Sequence, residues 1–347
     1  MMKRIGIICP YFGTLPEHFQ LFLNSCVINK TITWFLITDD KRPFDYPDNV
    51  KVSYTTLSSL KAEYQKKFDF PISLEGTYKL GDFKPLYGYL YEDTLLKGYD
   101  AWGHIDVGDE IYGDIRQFVT DELLDKYDKL MVFGHMCIYR NTAEVNRRFM
   151  LPSDINLTYR QIFSSSKFFN FEEIAPGSIT RIYLHNNYPI GRMDDYYADI
   201  SGIHYAFWLG RWSEDYKSLR YFKKVPLIFS WENGHVFGYS VEGGILNKKE
   251  YIYVHFKRRK MNVNVNPEAN KYLIVPHGFE PLKGEVNIEI VRTYSKDKVF
   301  YKMFFIEKKK VAKIKINKLI ANIIKLAGAV IKPFMLLLPA KQFLQVK

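Results

Sequence analysis

Residues 4–40, RIGIICPYFGTLPEHFQLFLNSCVINKTITWFLITDD, contain the pattern that decides the fold. The apolar run RIGIICPYF is typical of a buried strand, and the apolar residues of PEHFQLFLNSCVIN recur at helical spacing. TITWFLITDD then predicts a second buried strand, which ends in Asp39 and Asp40. A strand, a helix and a strand in this order open a β-α-β unit, which predicts an α/β fold with parallel strands. The loops that follow these strands, from Pro10 and from Asp39, are expected to belong to a ligand site, because ligands bind beyond the carboxyl ends of parallel strands.

Periodic segments continue along the first half of the chain. In YKLGDFKPLYGYLYEDTLLKGY we expect a helix that opens near Asp82, with Pro85 in its first turn. DAWGHIDV predicts a strand, and DIRQFVTDELLDKY predicts a helix with Asp114 as its N-cap. KVSYTTLSSLKAEYQKKF predicts a short strand followed by a helix. KLMVFGHMCIYR predicts a strand, and TAEVNRRFM predicts a short helix.

The second half, residues 151–305, is rich in Tyr, Phe, Asn and Gly and contains strand-like stretches such as EYIYVHFK. WENGHVFGY predicts a hairpin that turns at Asn233 and Gly234. We expect one folded domain over residues 1–305, with halves 1–150 and 151–305, followed by a separate segment over residues 306–347.

Composition excludes several classes of protein. A hydrophobic content of 47% excludes a disordered chain, and the three cysteines, which show no CxxC or CxxH spacing, indicate neither a disulfide framework nor a zinc site. A reducing cytosol is therefore expected. The net charge is +11, but residues 308–347 contain ten Lys and no Arg, Asp or Glu, so residues 1–307 carry only +1. The basic charge lies in an apolar segment and not on an aromatic body surface, which argues against nucleic-acid binding.

The stretch AWGHIDVGDEIYGDI places a cluster of acidic residues after an apolar strand. Asp106 and Asp109 could offer two oxygen ligands to one Mg²⁺ or Mn²⁺, which also binds substrate phosphates. Such a cation offsets the charge of a departing diphosphate, which is the chemistry of a nucleotide-sugar glycosyltransferase. Spacing alone leaves a second interpretation open, in which these acids are solvated turn and helix-cap residues.

Four blocks resemble, in their order and spacing, a bacterial family of polysaccharide-biosynthesis glycosyltransferases with a GT-A-like fold. They are DFKPLYGYLYEDTLLKGYDAWGHIDVGDEIYGDI, GHMCIYRN, YYADI and YIYVHFKRRKM, and the similarity extends from Ile5 to about Met261. The resemblance implies a Rossmann-like mixed, mostly parallel sheet flanked by helices. That family has an Asp-x-Asp loop, whereas here Val107 and Gly108 separate Asp106 from Asp109. Either the loop has one extra residue, or a shifted register lets Asp109 and Glu110 supply the second carboxylate.

The resemblance implies that His255 completes the metal site. The neighbouring Lys257, Arg258 and Arg259 could hold phosphate oxygens. The alternative is a basic, solvated strand end in which His255 is an ordinary packed residue. Lys84 could reach a diphosphate, and Asp82 could cap its helix or accept from a base or ribose hydroxyl. Surface positions at a helix start are the alternative for both residues. His135 could line the acceptor side or could be a packed core histidine.

The resemblance also places the nucleotide after the first strand. The residues concerned there are Pro10, Tyr11, Phe12 and Gly13. Tyr11 or Phe12 could stack on the base and Asp39 could bind the base or ribose, although tight turns alone also favour Pro and Gly. The catalytic candidates are Asp106, Asp109 and Glu110. If the reaction inverts the anomeric centre, Glu110 or Asp195 could deprotonate the acceptor.

The last segment, residues 306–347, has lysines at positions 318, 325 and 332 on one helical stripe, with apolar residues on the rest. Lysines and prolines interrupt any apolar run long enough to span a bilayer, so a basic amphipathic helix at an anionic membrane surface is predicted. The alternative is a helix docked on the protein itself or on a partner.

Taken together, these patterns predict a cytoplasmic glycosyltransferase on the inner face of the cell membrane. It would use Mn²⁺ or Mg²⁺ and a nucleotide diphosphate sugar, and its acceptor would be a glycan or lipid-linked glycan of a capsule, lipopolysaccharide or similar polymer. A non-catalytic, membrane-docked binder of carbohydrate or nucleotide on the same scaffold is the alternative hypothesis.

Overall fold

A computed structural model describes residues 2–202, 204–221, 225–257 and 259–296. Every element named below belongs to one compact unit, Met1–Gly202 with Ala206–Lys296. Two predictions, the phosphate contact of Arg258 and the amphipathic helix of residues 306–347, lie outside the described residues.

The strands follow in chain order. They are β1 (Ile5–Tyr11), β2 (Ile32–Thr38), β3 (Val50–Tyr54), β4 (Ala101–His104), β5 (Glu110–Tyr112), β6 (Lys129–Leu130), β7 (Cys137–Arg140), β8 (Ile190–Gly191), β9 (Ala198–Asp199), β10 (Gly210–Trp212), β11 (Leu219–Tyr221), β12 (Leu227–Glu232), β13 (His235–Glu242), β14 (Ile245–Tyr251), β15 (Tyr253–His255), β16 (Asn262–Val263), β17 (Lys271–Val275) and β18 (Gly278–Pro281).

The helices are short. They are α1 (Phe19–Cys26), α2 (Leu57–Gln65), α3 (Leu80–Phe83), α4 (Tyr87–Tyr91), α5 (Asp121–Lys126), α6 (Tyr159–Ser164), α7 (Ile179–His185) and α8 (Ile288–Tyr294). Tight 3₁₀ turns occupy Thr77–Lys79, Lys84–Leu86, Ile115–Gln117 and Val145–Met150. No helix in the described part of the chain has the length and apolarity needed to cross a membrane.

A seven-stranded sheet in the order β3-β2-β1-β4-β7-β6-β8 positions the site. Strands β3, β2, β1 and β4 are mutually parallel, and α1 connects β1 to β2, which confirms the predicted β-α-β unit. Alternate residues of β1 belong to two hydrophobic clusters. Ile7 belongs to the cluster that contains the buried apolar residues of α1, and Ile8 belongs to the cluster of Phe83 and Tyr87 on the other face of the sheet. Both faces of the sheet are therefore covered, as is usual where strands are parallel.

The expectation of a mostly parallel sheet holds for part of the seven-stranded sheet, the strands β3, β2, β1 and β4 and the pair β6–β8. Strand β7 is antiparallel to β4, and the six-stranded sheet β14-β13-β12-β17-β18-β16 is largely antiparallel. In the six-stranded sheet, two-residue turns join the antiparallel pairs β12–β13, β13–β14 and β17–β18, because such a turn can join only antiparallel strands. The predicted hairpin is present, with Asn233 at φ 50° and Gly234 at φ 91° between β12 and β13.

Two predicted helices have different bounds. Residues 114–127 do not form one helix: Asp114 caps the 3₁₀ turn Ile115–Gln117, as predicted, and Thr120 caps the separate helix α5. A second capping residue, Thr120, interrupts the helix because its side chain accepts a backbone N–H. The helical segment expected to open near Asp82 instead begins at Thr77, so Asp82 lies inside it.

Candidate functional site

A cavity of about 560 Å³ opens at the carboxyl ends of β1 and β4, where the β-α-β pattern predicts a ligand site. The loops after these strands form part of its wall. The predicted site residues that line the cavity are Pro10, Tyr11, Phe12, Lys84, Asp106, Asp109 and Arg259.

The acidic loop after β4 is a four-residue turn. The Asp109 backbone N–H donates to the Asp106 carbonyl over 3.2 Å, and Gly108 at the third position has φ +81°, as a type II turn requires. The Gly108 carbonyl accepts a hydrogen bond from Nε2–H of His18 over 2.6 Å. The extra residue relative to an Asp-x-Asp loop therefore completes a turn, and Glu110 begins the buried strand β5 instead of supplying a second carboxylate to the cavity.

Asp106, Asp109 and His255 each place a ligand atom within 4.8 Å of the other two. His255 Nε2 lies 3.6 Å from Asp106 Oδ2. Two carboxylates and an imidazole are donors that suit Mn²⁺, and carboxylates also suit Mg²⁺. The donor set therefore fits a divalent cation on the cavity wall.

Lys84 brings a positive charge to the same turn. Its ammonium group donates to Asp106 Oδ1 and, over 3.0 Å, to the Gly134 carbonyl. Burial opposes ionisation of Asp106, but Lys84 and His255 hold the pKa of that carboxyl well below its usual range. Burial likewise opposes the charge of Lys84, yet Asp106 and Glu172 raise the pKa of its ammonium group. A cation bound here would share Asp106 with Lys84.

Asp199, at the end of β9, holds His255 in place. Its Oδ1 lies 3.1 Å from His255 Nδ1, and its Oδ2 accepts from Lys257 Nζ over 2.8 Å. Burial opposes protonation of His255, but Asp106 and Asp199 raise the pKa of its imidazole to about 10. The imidazolium must lose a proton before Nε2 can bind a metal, so cation binding would release a proton.

His135, Asp199 and His255 form a second group whose ligand atoms lie within 4.8 Å of one another. The two imidazole rings are stacked, with centroids 4.1 Å apart and an interplanar angle of 25°. An imidazole binds a metal in its ring plane, so two nearly parallel stacked rings cannot both aim at one ion between them. This group is better described as a buried network that supports His255.

His135 is buried inside this network. Burial and the charge of His255 keep the pKa of His135 well below its usual value, so its imidazole is neutral. Its Nδ1 lies 3.1 Å from the Tyr253 hydroxyl. The alternative of a packed core histidine therefore describes His135 better than an acceptor contact.

Two further predicted residues are wholly enclosed. Glu110 is 0% exposed, it accepts a hydrogen bond from the Tyr112 hydroxyl, and burial raises the pKa of its carboxyl. Asp82 is also 0% exposed and accepts hydrogen bonds from Lys79 and from the backbone N–H groups of Phe169 and Phe171. Asp82 thus anchors a neighbouring segment of the chain, and Glu110 lies behind the cavity wall.

Asp39 and Asp195 lie outside the cavity wall as well. Asp39 accepts from the Gly13 backbone N–H over 2.7 Å, so it fixes the loop that carries the predicted nucleotide contacts. Gly13 has φ +107°, a conformation that glycine adopts readily. Asp195 is exposed and pairs with Arg211.

The sequence patterns did not reveal a further acidic pair that lines the cavity, Glu172 and Glu173. Glu172 is 7% exposed, and burial, opposed by Lys84, raises the pKa of its carboxyl to about 8. The only trace of this pair in the sequence is two acids in the apolar context FFNFEEIAPG. His18, which supports the acidic turn, likewise has no signal of its own.

A family model described as "Family of unknown function (DUF6625)" matches residues 7–283, and the chain therefore belongs to this family. A search among curated proteins finds no match.

Proposed function

We propose that this member of the family is a metal-assisted glycosyltransferase that moves a sugar from a nucleotide diphosphate sugar to a cell-surface glycan acceptor. The observation that carries the proposal is that the buried His255 converges with Asp106 and Asp109, which line, with Lys84, a cavity at the carboxyl ends of β1 and β4. A divalent cation with an adjacent ammonium group is suited to a diphosphate leaving group.

The fold is consistent with this proposal. In the first sheet, parallel strands β3, β2, β1 and β4 are followed by the antiparallel strand β7, an arrangement that we assign to a GT-A-like scaffold. The cavity lies where parallel α/β sheets bind ligands. Tyr11 and Phe12, which line the cavity where β1 ends, would stack on the nucleotide base.

Within this scheme Asp106, Asp109 and His255 would hold Mn²⁺ or Mg²⁺, which supplies Lewis-acid stabilisation of the departing diphosphate. Lys84 donates to Asp106, and its positive charge would orient the diphosphate. Arg259 lines the same cavity and donates to the Ser201 carbonyl over 2.8 Å, so its guanidinium is held at the wall.

One observation favours the alternative of a non-catalytic nucleotide or carbohydrate binder. The Lys84 ammonium group already neutralises Asp106, so the site can be electrostatically balanced without a metal. In that case the cavity would bind a nucleotide without turnover.

A turnover assay separates the two functions. The full chain is incubated with Mn²⁺ and a panel of nucleotide sugars, such as UDP-glucose, UDP-galactose and GDP-mannose, and release of nucleoside diphosphate is measured. The enzyme proposal expects release with at least one donor and its loss on addition of EDTA. No release with any donor would refute it, and unchanged thermal stability on addition of nucleoside diphosphate and Mn²⁺ would refute the binder as well. Stabilisation without release would support the binder.

We further propose that the basic segment of residues 306–347 docks the protein on the inner face of the cell membrane, on the strength of its charge and apolar pattern. The test is flotation with vesicles that contain anionic lipid. The full chain should float, and a chain that ends at Glu307 should not. Equal flotation of both would contradict the proposal.

A further inference from the structure

Glu172 differs from the other acidic side chains on the cavity wall. Asp106 is paired with Lys84, and Glu173 accepts from the backbone N–H of Gly134. Glu172 is 7% exposed, and its Oε2 has no hydrogen-bond partner among the described residues. An isolated buried carboxyl oxygen is costly, and its retention at a ligand cavity points to a role in chemistry.

Two glycines leave room for this side chain. A Cβ on Gly81 would lie 2.8 Å from Glu172 Oε1, and a Cβ on Gly134 would lie 2.4 Å from its Cγ. Both distances are far below van der Waals contact. The neighbouring chain is therefore shaped around the Glu172 carboxyl group, which has little freedom to swing away.

A buried ion pair fixes the segment that carries it. Lys79 Nζ donates to Asp82 over 2.8 Å and to the Lys167 carbonyl over 2.7 Å. Asp82 in turn accepts from the backbone N–H groups of Phe169 and Phe171. Three hydrogen bonds therefore join this enclosed pair to residues 167–171 and fix the backbone next to Glu172.

The two carboxylates that the sequence suggested as bases are less suitable. Glu110 is enclosed behind the wall and bound by Tyr112, and Asp195 is exposed and bound by Arg211. Glu172, in contrast, belongs to the wall and faces the same cavity as Lys84 and the acidic turn. Its position at the cavity therefore makes Glu172 a better candidate base than Glu110 or Asp195.

We propose that Glu172 is the catalytic base of the transfer reaction, an inference that rests on the proposed function. Its carboxylate takes the proton of the acceptor hydroxyl as that oxygen forms a bond to the anomeric carbon. The bond from the anomeric carbon to the diphosphate oxygen breaks at the same time, and the nucleoside diphosphate leaves with the electron pair. Attack from the side opposite the leaving group inverts the anomeric centre.

The electrostatic surroundings suit this role. Burial, opposed by Lys84, raises the pKa of Glu172 to about 8, and a base works best when its pKa lies near the working pH. An ordinary exposed carboxylate would be a weaker base for a hydroxyl proton.

The test uses the full chain with Mn²⁺, the most active UDP-α or GDP-α donor of the panel, and water as acceptor. Glu172→Gln is expected to lower kcat by about 10²- to 10⁴-fold while the KM for the donor and the thermal stabilisation by nucleoside diphosphate and Mn²⁺ stay unchanged. The exposed Glu285→Gln is the matched control and should keep wild-type kcat. Proton NMR of the wild-type reaction should show the β-sugar first, before mutarotation.

Two results would overturn the inference while leaving the proposed function intact. One is a Glu172→Gln variant that is stabilised by the ligands and retains kcat within about threefold of wild type. The other is release of the α-sugar first by the wild-type protein, a measurement that needs no variant to fold. Absence of turnover by the wild-type protein with every donor would overturn the proposed function and this inference together.

Discussion

Replacing Gly108 with alanine should weaken cation binding by disturbing the Asp106–Asp109 turn. Gly108 has φ +81°, and a residue with a side chain in such a conformation costs about 1–3 kcal/mol. Its Cβ would also lie 2.6 Å from Cγ of Pro16, whose ring cannot rotate away as a flexible side chain could. The turn is therefore expected to relax to another conformation.

The size of the effect follows from that strain. If the alanine variant returns to the native turn only to bind the cation, binding must supply the same 1–3 kcal/mol, which lowers affinity by roughly five- to 150-fold. Gly98→Ala is the matched control: Gly98 has φ +79°, and a Cβ there would have no described atom within 4 Å. Gly98→Ala has the same cost of holding alanine at a positive φ, but it lies outside the Asp106–Asp109 turn.

Calorimetric titration of the full chain with Mn²⁺ gives the affinity for the cation, and urea denaturation gives the free energy of unfolding. Both variants should lose stability, Gly108→Ala by more, and only Gly108→Ala should lose Mn²⁺ affinity. If Gly108→Ala bound Mn²⁺ as tightly as wild type and Gly98→Ala, the turn would not be the cation site.

Three further substitutions test the surrounding contacts. Asp82→Asn should lower the free energy of unfolding in urea by about 3–5 kcal/mol because it leaves Lys79 charged and buried, and a loss below about 1 kcal/mol would contradict that role. Lys84→Met should bind Mn²⁺ at least as tightly as wild type, because the competing ammonium group is removed. Its affinity for nucleoside diphosphate, measured by calorimetry, should fall at least tenfold. Weaker Mn²⁺ binding would argue against a site shared by Lys84 and the cation. Asp199→Asn should lower Mn²⁺ affinity by about 10- to 100-fold because His255 loses the carboxylate that orients it, and unchanged affinity would show that this support is unnecessary.

Local patterns predicted the elements that local forces determine. The β-α-β unit, the Asn233–Gly234 hairpin and the Asp114 cap each depend on residues a few positions apart, and the structure confirms them. The helix over residues 114–127 was wrong because the local signal contained two competing caps, at Asp114 and at Thr120. Hydrophobic periodicity alone does not show at which of two capping residues a helix begins.

The candidate site was predictable only where it followed a strand. Asp106, Asp109 and the loop after β1 come directly after predicted strands, so topology places them at one edge of the sheet. Glu172 and Asp199 reach the site through long-range packing, which no spacing in the sequence encodes. For the same reason the sequence could not show that Asp82 is enclosed by the segment around Phe169.

The central claim is that Asp106, Asp109 and His255 hold a divalent cation for a nucleotide diphosphate. Anomalous diffraction at the manganese edge, from crystals of the full chain grown with Mn²⁺ and a nucleoside diphosphate, tests it most directly. One anomalous peak is expected within coordination distance of these three side chains, with diphosphate oxygens completing its shell. A nucleotide bound in the cavity without a peak there, or a peak elsewhere, would contradict it.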